Sequence, residues 1–186
     1  MMGNIFFDLK KLKYCGKNVI IGKTARIRYP ELVSIGDNCI IDDFTYISTP
    51  LELKGNIHIS SGCKIIGGKN SKVTIDEYST LSPGVVLVAG SDDYVGGIAT
   101  PMVANEFKGD IVIGSICLGR HCVVGSNTVV LPNVVFGEGA AVGALSLVKN
   151  DLNPWILYAG IPAKEIKNRN KDQILSFEKR LKEKKQ

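Results

Sequence analysis

Two histidines, a pair of adjacent aspartates and a late set of lysines are the residues of this chain whose types could do chemistry. An imidazole is the side chain whose ordinary pKa suits general-base work near neutral pH. His121 sits in the stretch LGRHCV, soon after a long irregular segment, AGSDDYVGGIATPMVANEFKGDI, that holds Asp92, Asp93 and Tyr94. That order places His121 beside any cleft the segment forms. His58 lies nearer the N-terminus, just before Ile59, and is the second candidate. A carboxylate such as Asp92 could also take a proton where a cleft raises its pKa, or could orient a substrate or His121. Asp93, Tyr94 and the Thr100–Pro101 turn are candidates for shaping a substrate pocket. Further on, Gly143 and Ala144 offer bare backbone that a ligand carbonyl could approach closely. Lys149 ends the last coil, and Lys164 and Lys167 follow the Gly160–Ile161–Pro162 turn, where a basic tail begins.

The element that must position these groups is a repeat. Residues 118–148 read in sixes as LGRHCV, VGSNTV, VLPNVV, FGEGAA and VGALSL, closing on Val148. The first slot is always aliphatic or aromatic, the second is usually Gly, and the fifth is small: Cys122, Thr128, Val134, Ala140, Ser146. A period of six fits neither a helix nor simple strand alternation. It fits a solenoid of short flat strands, three to a coil, with first and fifth slots filling a thin triangular core. The fourth slot, which His121 occupies, faces outward. The pattern starts at Ile21, slips at Tyr29–Pro30, and runs from Ile35 through Ile41, Ile47, Leu53, Ile59 and Ile65. A short GKNS insertion follows, and the phase returns at Ile75, Leu81 and Leu87. Residues 89–113 break it, and an insertion of that length in a regular array is usually functional.

The chain carries a net charge of +5, and from Lys164 onward nine basic residues face four acidic ones, so the rest is balanced. That basic tail lacks the interleaved aromatics of a nucleic-acid binder, and a phosphate-bearing small molecule near its start suits it better. No apolar run approaches the roughly 18 residues of a membrane helix, and no signal-peptide region stands out. Five cysteines, none in a CxxC pair, read as reduced thiols of a cytoplasmic protein. Cys39, Cys63 and Cys122 fall in fifth slots and are expected in the core. The organisation expected is one domain, 1–186. Residues 1–18 form an N-terminal cap with a short helix carrying Ile5, Phe6, Leu9 and Leu12. Residues 19–153 form the solenoid, and 154–186 a C-terminal segment ending in a helix. That last helix should dock through an apolar stripe of Ile174, Leu175, Phe177 and Leu181.

The repeat, followed by the run VKNDLNPW and then AGIPAK, resembles the hexapeptide-repeat acyltransferases. The resemblance covers residues 19–170. It is greatest to the sugar O- and N-acetyltransferases, in the branch with galactoside acetyltransferase and the enzymes of bacterial surface-polysaccharide synthesis. It implies an all-β fold, a left-handed parallel β-helix, and a homotrimer with acetyl-CoA sites between subunits. The acceptor would be a hydroxyl or amine of a sugar or nucleotide-linked sugar. The resemblance places Gly143, Ala144, Lys149, Ile161, Pro162, Lys164 and Lys167 around the coenzyme. The chain departs from galactoside acetyltransferase at one point. Where that enzyme carries its catalytic histidine, after the coil matching Leu87, this chain reads LVAGSDDY. His121 is therefore expected as base, with Asp92 assisting and Asp93 and Tyr94 on the acceptor. A reaction in which the departing CoA sulfur takes the proton stands beside it.

Two other readings share the fold. A zinc enzyme of the γ-carbonic anhydrase kind needs three histidine ligands, and the chain has two, so no metal is expected. A non-catalytic trimeric scaffold is the alternative from a different class; the long insertion and the AGIPAK segment argue against it.

Overall fold

The computed structural model describes residues 7–184. Its strands stack into three flat faces of a triangular column. The first face runs through Tyr14–Cys15, Val33–Asp37, Leu51–Gly55, Lys72–Ile75, Ser115–Leu118 and Val134–Phe136. The second runs through Ile20–Ile21, Ile40–Ile41, His58–Ile59, Thr80–Leu81, Val123–Val124, Ala141–Val142 and Ile156–Ala159. The third runs through Arg26–Ile27, Tyr46–Ile47, Lys64–Ile66, Val86–Val88, Val129–Val130 and Leu147–Val148. Each strand pairs in parallel with the one a coil above it.

The register explains the six-residue period. Ile35, Leu53, Ile75, Leu118 and Phe136 form one ladder on the first face. Ile21, Ile41, Ile59, Leu81, Val124 and Val142 form the second ladder. Ile27, Ile47, Ile65, Leu87, Val130 and Val148 form the third. All point inward and are buried. Burying each side chain contributes about 1.5–3 kcal/mol. Cys39, Cys63 and Cys122 are fully buried between the ladders, as their slots require.

The corners explain the fourth slot. His121, Asn127, Asn133, Gly139 and Leu145 all have positive φ. A chain that must turn at every sixth residue uses a left-handed residue to do so, which favours Asn and Gly. The fourth slot is thus a corner rather than a free outward position.

Both ends differ from expectation. Ile5 and Phe6 lie outside the described residues. From there the cap is a single 3-10 turn, Leu9–Lys11, capped by the Asp8 carboxylate. Tyr14–Cys15 already belongs to the first face, so the stack begins inside the segment expected to cap it. At the other end the stack continues past residue 153. Ile156–Ala159 adds a rung to the second face, and Lys164–Asn168 returns antiparallel beside it. Helix α1, Lys171–Glu183, follows, with the Asn170 side chain accepting the Gln173 N–H at its start. Its apolar stripe docks only in part: Ile174 and Leu175 are half-buried, Phe177 and Leu181 are exposed, and the buried side chain of α1 is Glu178.

Candidate active site

The insertion leaves the stack at the corner between the third and first faces. A two-rung antiparallel neck, Gly90 with Ile113 and Ser91 with Val112, closes it. Asp93 folds the loop beyond. Its carboxylate accepts the N–H groups of Val95, Gly96 and Asp110 at 2.8–3.0 Å. Those backbone donors lower its pKa. Asp93 is therefore engaged inside the loop, with both carboxylate oxygens committed to backbone N–H groups. Asp92 and Tyr94 line a cavity of about 420 Å³ between the loop and the earlier GKNS insertion. Lys69, Asn70, Ser91 and Lys108 line it too, so two cations and one carboxylate face the same space. The Lys69 ammonium lies 4.8 Å from the Tyr29 ring centre. The Lys108 ammonium donates to the Asn105 side-chain oxygen Oδ1 at 3.0 Å.

The expectation that His121 stands beside this loop is corrected by the structure. His121 turns the corner between the first and second faces, and its residue is 7% exposed. Asn18, Asn38 and Asn56 occupy the same corner in the early coils and hydrogen-bond up the column. Tyr78, His121 and Trp155 continue it as an aromatic stack. Tyr78 and His121 ring centres lie 5.3 Å apart and nearly parallel, and Trp155 lies 5.9 Å from His121. Gly139 occupies the intervening coil, where a Cβ would sit 2.3 Å from the Trp155 ring. The glycine is what lets the indole reach across to the imidazole.

Helix α1 closes over this stack. The Glu178 carboxylate accepts the His121 Nε2–H at 2.8 Å and also binds Arg120 and Lys182. Burial pushes the Glu178 carboxyl up, but Lys182, His121 and Arg120 outweigh it and hold it at about 2. Arg169 pins the chain just before α1 by donating to the His121 and Gly139 carbonyls, both at 2.7 Å. Every polar contact of the His121 side chain is thus turned toward α1.

The other expected residues divide between two places. Gly143 and Ala144 stand at the corner between the second and third faces. They share a column with Gly125, Ser82 and Ser60. Gly125 has no room for a side chain: a Cβ there would lie 2.5 Å from the Ala144 nitrogen. The Gly160–Ile161–Pro162 turn, with a cis bond before Pro162, caps the third face. Leu147 N–H donates to Gly160 and Ala163 N–H to Leu147. Ile161 is 75% exposed. Lys149 and Lys164 come together instead around a cavity of about 270 Å³ at the C-terminal end, with Asp151 and Glu165. Lys167 is exposed on the returning strand, opposite Leu157.

His58 stands alone on the second face. Its Nε2 lies 2.7 Å from Asp42 Oδ2, and both side chains are nearly half exposed. The sequence points to none of Asp42, Ser82, Lys69 or Lys108; the signal for the lysines is the insertions that carry them, which meet across one corner.

No family model matches the chain. It is 37% identical over 170 residues to dTDP-4-amino-4,6-dideoxy-D-glucose acyltransferase of Escherichia coli, an alignment covering 89% of this chain and 86% of the relative. It is 27% identical to galactoside O-acetyltransferase of Escherichia coli K12, over 74% of this chain and 64% of the relative. The chain belongs to the hexapeptide-repeat acyltransferases, left-handed β-helix enzymes that use acyl-CoA. Among solved structures it matches AntD, an N-acyltransferase from Bacillus cereus in complex with dTDP and 3-hydroxybutyryl-CoA. That match has a TM-score of 0.90 and 31% identity, covering 99% of this chain and 100% of the other. Variants of AntD at one serine and at one aspartate ten positions later have been solved with coenzyme A and either dTDP or dTDP-4-amino-4,6-dideoxyglucose. Among the described residues, no helix is long and apolar enough to cross a membrane.

Proposed function

We propose that this chain moves an acetyl or similar acyl group from acyl-CoA to the amine of a dTDP-linked 4-amino-4,6-dideoxy sugar. The product would serve bacterial surface-polysaccharide synthesis, and the enzyme would work in the cytoplasm. The observation that carries the substrate is the 37% identity, over nearly the whole chain, to an acyltransferase named for that sugar nucleotide. The cavity beside Asp92 suits such an acceptor, because Lys69 and Lys108 offer charge to a diphosphate.

Ser82 and Asp92 repeat the serine–aspartate spacing varied in AntD. In one copy the third-face strand Val86–Val88 stands between them, because Ser82 opens one corner and Asp92 follows the next. Both meet one substrate if Asp92 of one copy faces Ser82 of its neighbour. That arrangement supports a homotrimer with sites between copies. Coenzyme A then lies along the Ser82–Gly125–Gly143–Ala144 corner, with the Ala144 amide free to bond a pantetheine carbonyl. Asp92 accepts a hydrogen bond from the acceptor nitrogen. The nitrogen attacks the thioester carbonyl, a C–N bond forms, the C–S bond breaks, and CoA leaves as the thiol, its sulfur ending with the proton that the nitrogen gives up.

The test is thiol release with acetyl-CoA and dTDP-4-amino-4,6-dideoxyglucose. Saturable turnover giving the N-acetyl product is expected. Release no faster than thioester hydrolysis, or acetylation of a hydroxyl in place of the amine, overturns the reading.

A further inference from the structure

We infer that His58, held by Asp42, is the proton acceptor of this reaction; the inference rests on the acyl-transfer reading above. The chain has two histidines. His121 is enclosed by Tyr78, Trp155 and α1, with its Nε2 committed to Glu178. His58 is open: its side chain is 47% exposed.

The contact with Asp42 fixes which ring nitrogen is basic. A carboxylate only accepts, so the 2.7 Å contact makes Nε2 the donor. The lone pair of the neutral ring is then on Nδ1, which faces away from Asp42. Asp42 sits one coil below, anchored by its own N–H to the Ile59 carbonyl. A carboxylate behind an imidazole orients the ring and favours the imidazolium once it forms.

The pair also lies in the right place. His58 is the outward residue of its second-face strand, opposite Thr80 one coil above. The Thr80 hydroxyl donates to the His58 carbonyl at 3.2 Å, locking the two rungs together. Ser82 follows Thr80 by two residues, so His58 lies one rung, about 4.8 Å, from the strand that leads to Ser82. Asp42 stands in the same corner column as Ser60 and Ser82, and the imidazole it orients lies on the adjoining face, beside the corner along which the acyl donor is proposed to lie. A simple surface ion pair, worth under about 1 kcal/mol, needs neither that place nor that ring orientation.

The step balances as follows. The amine nitrogen bonds to the thioester carbon, and its proton passes to His58 Nδ1. The C–S bond then breaks, CoA leaves as thiolate, and the thiolate takes the proton back from Nδ1. The sum is amine and acyl-CoA giving amide and CoA thiol, with His58 neutral again.

The experiment compares wild type, His58→Ala and Asp42→Asn by steady-state thiol release with acetyl-CoA and dTDP-4-amino-4,6-dideoxyglucose. Wild-type turnover reads the acyl-transfer assignment by itself, and the variant ratios read the role of His58. His58→Ala should lower kcat about a hundredfold or more, the usual scale of general-base catalysis, with acceptor KM nearly unchanged. Added imidazole should restore part of that kcat. Asp42→Asn should lower kcat by about tenfold through loss of the tautomer lock. Melting temperatures should not move, since both side chains are exposed. A His58→Ala enzyme within about threefold of wild-type kcat, or a loss confined to KM, overturns the inference.

Discussion

The imidazole of His121 donates to the carboxylate of Glu178 at 2.8 Å, across a gap of 57 positions, and through that contact α1 is seated on the column. Without Glu178 the buried His121 Nε2–H loses its acceptor, and without His121 the helix is held by the Glu178 contacts to Arg120 and Lys182 alone. His121→Ala and Glu178→Gln should each destabilise the fold by about 3 kcal/mol, seen as a fall of several degrees in Tm. Turnover per folded molecule should stay within a few-fold of wild type. A large loss of kcat at unchanged Tm would return His121 to the reaction.

Acid should release the same contact. The Glu178 carboxyl is held at about 2 against an ordinary 4.5. A depressed carboxylate contributes stability above its unfolded pKa and loses it as pH falls toward the folded one. The contribution is full above about 4.5 and fades between there and about 2. The single tryptophan reports it, since Trp155 lies in the stack beneath α1. In the folded protein the contact is released where the carboxyl takes its proton, so emission should change as the pH falls to about 2 in wild type and not in Glu178→Gln, while the melting temperature of wild type alone should fall through the wider window.

Two inactive variants should rescue each other if the site is shared between copies. Ser82→Ala and Asp92→Asn should each lower kcat about a hundredfold. In mixed trimers made from equal amounts, each interface needs an intact Ser82 from one copy and an intact Asp92 from its neighbour. Chance assembly provides this at about a quarter of the interfaces, so about a quarter of wild-type activity should return. Activity no higher than either variant alone would place the whole site in a single chain.

Asp93 should matter for the loop rather than for the substrate. Its three backbone bonds are lost in Asp93→Ala. The loop should become readily cut by trypsin at Lys108, and kcat should fall by about tenfold or more as Asp92 loses its position. Far-ultraviolet circular dichroism should stay unchanged, because the stack does not depend on the loop. Wild-type protease resistance in this variant would refute the assignment.

Thiol chemistry should sort the five cysteines. Burial pushes the Cys63 thiol to about 11 and the Cys122 thiol to about 12. Cys39 is raised by burial as well. Thiolate is the reactive form. At pH 8 iodoacetamide should modify Cys15 and Cys117, which are half-buried, and spare the other three until the protein is unfolded. Peptide mass spectrometry reads the result.

The three ladders were legible because a six-residue period has one physical meaning: the same inward position on successive faces. Ile41, Ile59 and Leu81 lie where their spacing puts them. The corner role of His121 was also present in the sequence. Asn127, Asn133 and Gly139 share its slot, and residues that tolerate positive φ mark a turn rather than a free surface. What could not be read was Glu178. It is a charged residue set within the apolar stripe of its helix, where an aliphatic contact is expected, and no period links it to residue 121. The Ser82 and His58–Asp42 positions were hidden for a different reason. Each looks like one more corner or outward residue, and only the stacking of coils shows which of them share an edge.

The narrow neck at Gly90–Ser91 and Val112–Ile113 has one more consequence. Below it, Ile75 pairs directly with Leu118, so the column closes as though the intervening segment were absent. The arm is in effect a detachable cassette. Its length and sequence can drift, or be transplanted whole, without disturbing a single rung, and selectivity can change while the scaffold's rigidity does not.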